Sequence, residues 1–216
     1  MTSGIRDRKR AWRFGAALAT LLSLSAPAAA DIFVGGPSAE VEILTDEFMS
    51  PEATLNFVEM AQASYFGAFV YNRAEGTWGG IANVHSLKFA RARAMSLCRS
   101  ESRVPSHCKD YGYVTAHGYS RSSGQTTLNS SASAMFRAYL KSTSPGGFGA
   151  FAIAPFGAAA YSGNNATSKG AAADALGKCQ KVSNETRARA APHFSADKSF
   201  FKASNWKCQV IHVQSR

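Results

Sequence analysis

The sequence predicts an α+β protein made of two duplicated ββαβ-type units, each a short antiparallel sheet packed against a helix and stapled by a disulfide. Three observations predict it. First, Phe66-Gly67-Ala68-Phe69 recurs as Phe148-Gly149-Ala150-Phe151. Both copies are followed by a turn glycine (Gly76, Gly157), an Asn (Asn83; Asn164 or Asn165), a Ser (Ser86, Ser168) and a Cys (Cys98, Cys179). Second, in each copy the apolar pattern changes from a strand-like run to alanines at helical spacing. Third, a further Cys stands before a β-prone stretch in both: Cys108 before Tyr111-Gly112-Tyr113-Val114, and Cys208 before Val210-Ile211-His212-Val213. The chain divides accordingly into 1–30, 31–65, 66–119, 120–147 and 148–216.

Residues 1–30 read as a cleavable secretory signal peptide. Arg6, Arg8, Lys9, Arg10 and Arg13 form a basic start, an apolar run covers 14–24, and Ser25-Ala26-Pro27-Ala28-Ala29-Ala30 supplies the small-residue pattern that signal peptidase accepts. The run is much shorter than the ~20 apolar residues needed to span a bilayer. No Cys stands near the cut to carry a lipid. The expectation is a chain that begins near Asp31, in the periplasm or outside the cell, with no transmembrane segment after cleavage.

Residues 31–65 form an acidic N-terminal segment with one helix. Eight acidic residues between 31 and 75 face Arg73 alone. Ser50 caps a helix over 51–63, Pro51 takes its first position, and Leu55, Val58 and Ala61 fall on one side. In the first repeat, 66–119, the apolar run 66–71 is a buried strand, 72–76 a hairpin loop turned by Gly76, and 77–84 the returning strand. Gly79-Gly80 marks a bulge or a close backbone approach. Ser86 then caps a helix with Leu87, Ala90, Ala94, Leu97 and Cys98 on one face, and Lys88, Arg91 and Arg99 elsewhere.

Residues 120–147 are a linker, rich in Ser, Thr, Gly and Asn up to 131, with a helix over 132–140. In the second repeat, 148–216, Ser168 caps a helix whose face is Ala172, Ala175, Leu176 and Cys179. An insertion at 183–202, polar and basic with Pro192, reads as an exposed loop.

The four cysteines are Cys98, Cys108, Cys179 and Cys208. An even count in an exported chain argues for two disulfides, with three possible connectivities. Their spacing lacks the short gap of a zinc knuckle, even with His107 beside Cys108, so neither a metal nor another cofactor is expected. In each copy the first Cys ends a helix and the second opens a strand. The same local pairing in both then gives Cys98–Cys108 and Cys179–Cys208.

Without the leader the chain carries 19 basic and 13 acidic residues, a net charge of +6. Beyond residue 75 the balance is 18 basic to five acidic. In the chain after residue 30 no run of Lys and Arg exceeds two, so nucleic acid is not an expected partner. The basic body suits an envelope protein or an anionic envelope polymer. Lys88 and Arg91 are its candidate contacts, with Tyr111, Tyr113 and Tyr119 alternating along a strand as a stacking face beside them.

The repeated Phe-Gly-Ala-Phe, turn Gly, Asn, Ser, spaced alanines and Cys resemble the small exported bacterial family catalogued as domain-of-unknown-function 4189. The resemblance covers 66–114 once and 148–213 again. The chain departs from that pattern in its 183–202 insertion, and in lacking a further strand with a Cys-Ala-type ending. The resemblance implies a bacterial envelope protein with disulfides, and it supplies no catalytic residues.

Catalytic motifs are scarce. Gly118-Tyr119-Ser120-Arg121-Ser122 misses the nucleophile-elbow pattern at its last position. No zinc-protease, phosphate-loop or calcium-loop motif occurs. His85, His107, His117, His193 and His212 are scattered, and a catalytic pair would draw on His85 or His117 with Asp110. The sequence therefore favours a non-catalytic exported module that binds through its basic surface. An envelope hydrolase with a His–carboxylate site assembled only by the fold is the alternative. A structural partner that docks through its acidic N-terminal helix is the third reading.

Overall fold

A computed structural model describes residues 31–63, 65–194 and 197–216; the expected signal peptide, 1–30, lies outside the described residues. The fold is α+β and is organised around two antiparallel sheets. Strands β2 (Ala39–Ile43), β3 (Gly67–Asn72), β4 (Thr77–Ile81) and β5 (Lys109–Ala116) form the first, in the order β2-β5-β3-β4. Strands β7 (Phe148–Ile153), β8 (Ala159–Asn165) and β9 (Gln209–Ser215) form the second, in the order β8-β7-β9. Two short strands, β1 (Ile32–Phe33) and β6 (Thr126–Thr127), pair in parallel and tie residues 32–33 to the linker.

Strand alternation explains how each sheet takes helices on both faces. In β3 the smaller Ala68 and Val70 turn towards helix α2 (Leu87–Glu101), where they pack with Ala90, Ala94 and Cys98. The aromatic Phe69 and Tyr71 turn the other way and meet Ala53 and Phe57 of helix α1 (Pro51–Ala63). The second sheet repeats this scheme. Ala150 and Ala152 pack on Ala171, Ala175 and Cys179 of helix α4 (Ser168–Ala190). Phe151 and Ile153 pack on Ala132, Phe136 and Tyr139 of helix α3 (Ser130–Ser142). Small residues let the inner helix approach closely. A Cβ added to Gly79 would lie 2.2 Å from the Ala94 carbonyl oxygen and 2.5 Å from the Cys98 nitrogen. Of the two readings of Gly79-Gly80, close approach is the one realised.

The two units agree in finer detail. A bulge interrupts β3–β5 pairing between Phe69 and Val70, and another interrupts β7–β9 pairing between Phe151 and Ala152. These are equivalent positions after the two Phe-Gly-Ala-Phe copies. Asn83 and Asn164 both adopt left-handed backbone, at φ 62° and 58°, three residues before the caps of α2 and α4. The cap of α4 is Thr167, whose hydroxyl accepts from the Gly170 amide, and not Ser168 as the alignment of serines suggested. That places Asn164, not Asn165, opposite Asn83. Disulfides join Cys98 to Cys108 and Cys179 to Cys208, each pair with Cα atoms 6.1 Å apart.

Four further expectations are corrected. Segment 183–202 is not an exposed loop. Helix α4 runs eleven residues past Cys179, to Ala190, so that cysteine lies within its helix rather than ending it. Downstream, Phe200 is fully buried in the first unit's core, beside Phe156 and Trp206. Helix α1 buries Ala53 and Phe57, so its other apolar stripe, Leu55 and Val58, faces solvent. The acidic segment also supplies β2, and the linker supplies β6 and an Asn129 cap that starts α3 two residues early.

Candidate functional site

Lys88, Arg91 and Arg99 lie exposed on the outward side of α2, as their spacing predicts. Arg91 is already engaged. Its Nε and Nη2 donate to the Asp110 carboxylate at 2.7 to 3.0 Å in a fork, and this bond raises its pKa. The expected tyrosine face does not form. Residues i and i+2 share a face only in a regular strand, and Tyr111 is the extra residue of the β5 bulge. Tyr111 therefore turns to the α1 side, with its ring 5.4 Å from Phe57. Tyr113 turns to the α2 side, buried beneath the Arg121 guanidinium 4.8 Å above its ring. Burial pushes the Tyr113 phenol up to about 12. Both tyrosines serve packing.

The suggested histidine–carboxylate pairs do not assemble either. His85 is buried, with Nε2 3.0 Å from the Ala158 carbonyl and Nδ1 accepting the Asn129 amide at 3.1 Å. One nitrogen must therefore donate and the other accept, which is the neutral ring. Desolvation lowers its pKa to about 4. Around it, the Thr127 hydroxyl donates to the His85 carbonyl, while the Asn129 side-chain amide donates to the carbonyls of Asn83 and Gly157 at 2.8 and 3.1 Å. This buried polar knot joins the first unit to the hairpin of the second. Asp110 is not among the partners of the His85 ring and is held by Arg91. His117 does meet a carboxylate, that of Glu40, but both side chains are exposed on the surface. His212 shares a 3.0 Å hydrogen bond with the Tyr139 hydroxyl, and burial lowers its pKa.

What the structure leaves exposed instead is a series of apolar side chains along the N-terminal segment. Among the described residues ten large apolar side chains are exposed, and six of them fall between 41 and 58: Val41, Ile43, Leu44, Phe48, Leu55 and Val58. Phe48 is 90% exposed. The rim is acidic, with Asp46, Glu47, Glu52 and Glu59 and no Lys or Arg between 31 and 72. Strand β2 lies at the sheet edge, and all five of its residues are exposed. Its register with β5 sets Val41 opposite Val114 and Ile43 opposite Gly112, on the α1 side of the sheet. Glu40 and Glu42 face the other way, beside His117 and Arg121. There they line a groove of about 450 Å³ with Val41, Thr115, Tyr119 and Arg121. The Ala-Glu-Val-Glu-Ile alternation of β2 was the signal in the sequence that would have found this edge.

Among the described residues no three His, Cys, Asp or Glu side chains converge as a metal site, and no helix is long and apolar enough to cross a membrane. The two disulfides are consistent with an oxidising, exported setting. No protein-family model, curated protein or solved structure matches the chain.

Proposed function

We propose that this is an exported, non-catalytic module of the bacterial envelope that docks a partner protein through its acidic N-terminal segment. The observation that carries the reading is the concentration of exposed apolar side chains at 41–58. Scattered exposed apolar residues are ordinary on a monomer, whereas a cluster rimmed by charge marks a protein contact. An anionic polymer would be met by cations, and residues 31–72 supply no Lys or Arg for it. The likeness to domain-of-unknown-function family 4189 and the secretory leader supply the envelope setting of the proposal. The histidines support the non-catalytic half of it: His85 is consumed by buried hydrogen bonds, and His117 pairs on an open surface.

Site-specific photo-crosslinking in the native host tests this. A crosslinker replacing Phe48 or Leu55 is expected to give one discrete adduct. The same group at Lys88 or Lys169, both exposed on other surfaces, is expected to give none. An adduct from Lys88 alone would transfer binding to the basic face of α2 and overturn the proposal.

A further inference from the structure

The free edge of β2 has a defined chemistry. The Ser38 carbonyl accepts from the His117 amide at 3.2 Å, and the Leu44 amide donates to the Tyr111 carbonyl at 2.9 Å. Both ends of the ladder thus use even-numbered residues of this strand. In an antiparallel strand successive residues point their amide and carbonyl groups to opposite sides. Ala39, Val41 and Ile43 therefore turn their backbone donors and acceptors outward, away from β5. Edges of this kind are commonly blocked by a lysine, a proline or a bulge. Strand β2 has none of these in Ala39–Ile43.

We propose, resting on the docking reading above, that β2 is extended by a strand from the partner protein in which apolar and basic residues alternate. Backbone hydrogen bonds to Ala39, Val41 and Ile43 would hold it, as in other cases of strand addition. Its apolar residues meet Val41 and Ile43 on the α1 side. Its Lys or Arg residues reach Glu40 and Glu42 on the groove side, taking the place of the exposed His117 and Arg121 side chains that pair with these carboxylates in the free protein. Charge decides against a second copy of this chain. Both glutamates of β2 point to one face, so the antiparallel register that pairs Ala39–Ile43 with itself sets Glu40 opposite Glu42 across the new strand junction, which is destabilising.

The test uses the purified protein and a blocked, labelled peptide of alternating Lys and Val, followed by fluorescence anisotropy. Saturable binding is expected. It should weaken at least tenfold when alternate peptide amides are N-methylated, and again when Glu replaces Lys in the peptide. The E40K/E42K variant should reverse that preference and favour the Glu–Val peptide. Val41→Pro removes an outward amide without touching the β5 ladder, and it should abolish binding while leaving the circular dichroism spectrum unchanged. The N-methylated peptide gives the same information if that variant unfolds. Absence of binding at millimolar peptide, or equal binding of all three peptides, overturns strand addition. Sedimentation showing a dimer that V41K dissolves assigns the edge to a second copy and also overturns it. Crosslinks at Phe48 and Leu55 without peptide binding would sink this inference alone; loss of both would sink the docking reading beneath it.

Discussion

At the scale of single residues, His85 is the most sensitive reporter of the fold. Its ring is neutral because both nitrogens are committed, one as donor to Ala158 and the other as acceptor from Asn129. The unfolded chain takes up its proton near 6.5, whereas the buried ring resists protonation down to about 4. Between those values protons bind the unfolded state first. The stabilisation from His85 is thus complete above pH 6.5 and is lost as pH falls towards 4, by about 3 kcal/mol over the window. Urea titrations of the wild type and of His85→Gln at pH 7, 5.5 and 4 check this. The stability difference between the two proteins is expected to shrink steadily with acid; a constant difference would show that the ring titrates normally. His85 was visible in the sequence as a candidate catalyst. Its true role depends on Ala158 and Asn129, which come from other parts of the chain and left no local signal.

At the scale of elements, the disulfides convert loop length into stability. Closing a loop of 10 residues at Cys98–Cys108 and one of 29 at Cys179–Cys208 restricts the unfolded chain. The chain-entropy model gives about 2.7 kcal/mol for the first and about 3.6 kcal/mol for the second. Replacing each pair by Ala should therefore cost stability in that order in denaturant unfolding, and an inverted order would refute the entropic account. These elements were legible because their signals are local and doubled. Phe-Gly-Ala-Phe alternates small and large residues, and the alanine helices and their cysteines follow in the same order twice. The bulge at Tyr111 was not legible, since it arises from the register between two distant strands. The choice of α1 face was not legible either. That helix carries two apolar stripes, and only packing against Phe69 and Tyr71 selects Ala53 and Phe57 over Leu55 and Val58. Segment 183–202 misled for a related reason: its charged residues are numerous, but Phe200 is buried through long-range contacts that composition does not record.

At the scale of the whole molecule, the two units are not independent. Phe156, Phe200 and Trp206 belong to the second by sequence and to the first unit's core by packing. Trp206 stacks on Phe156 with centroids 4.3 Å apart, and its indole nitrogen donates to the Phe200 carbonyl at 2.7 Å. Losing a buried aromatic of this size costs roughly 3–5 kcal/mol, a large share of a small domain's stability. A fragment ending at residue 119 lacks all three rings. It should show no cooperative unfolding and no near-ultraviolet circular dichroism, while the whole chain melts in one transition; a folded fragment would disprove the coupling. The same borrowed rings set a clock on biogenesis. A chain emerging N-terminus first can close its Cys98–Cys108 loop early, yet the core around that loop stays open until residues 200–206 arrive. The first half must wait for residues 200–206, and during that interval the apolar side chains they cover stay exposed to solvent.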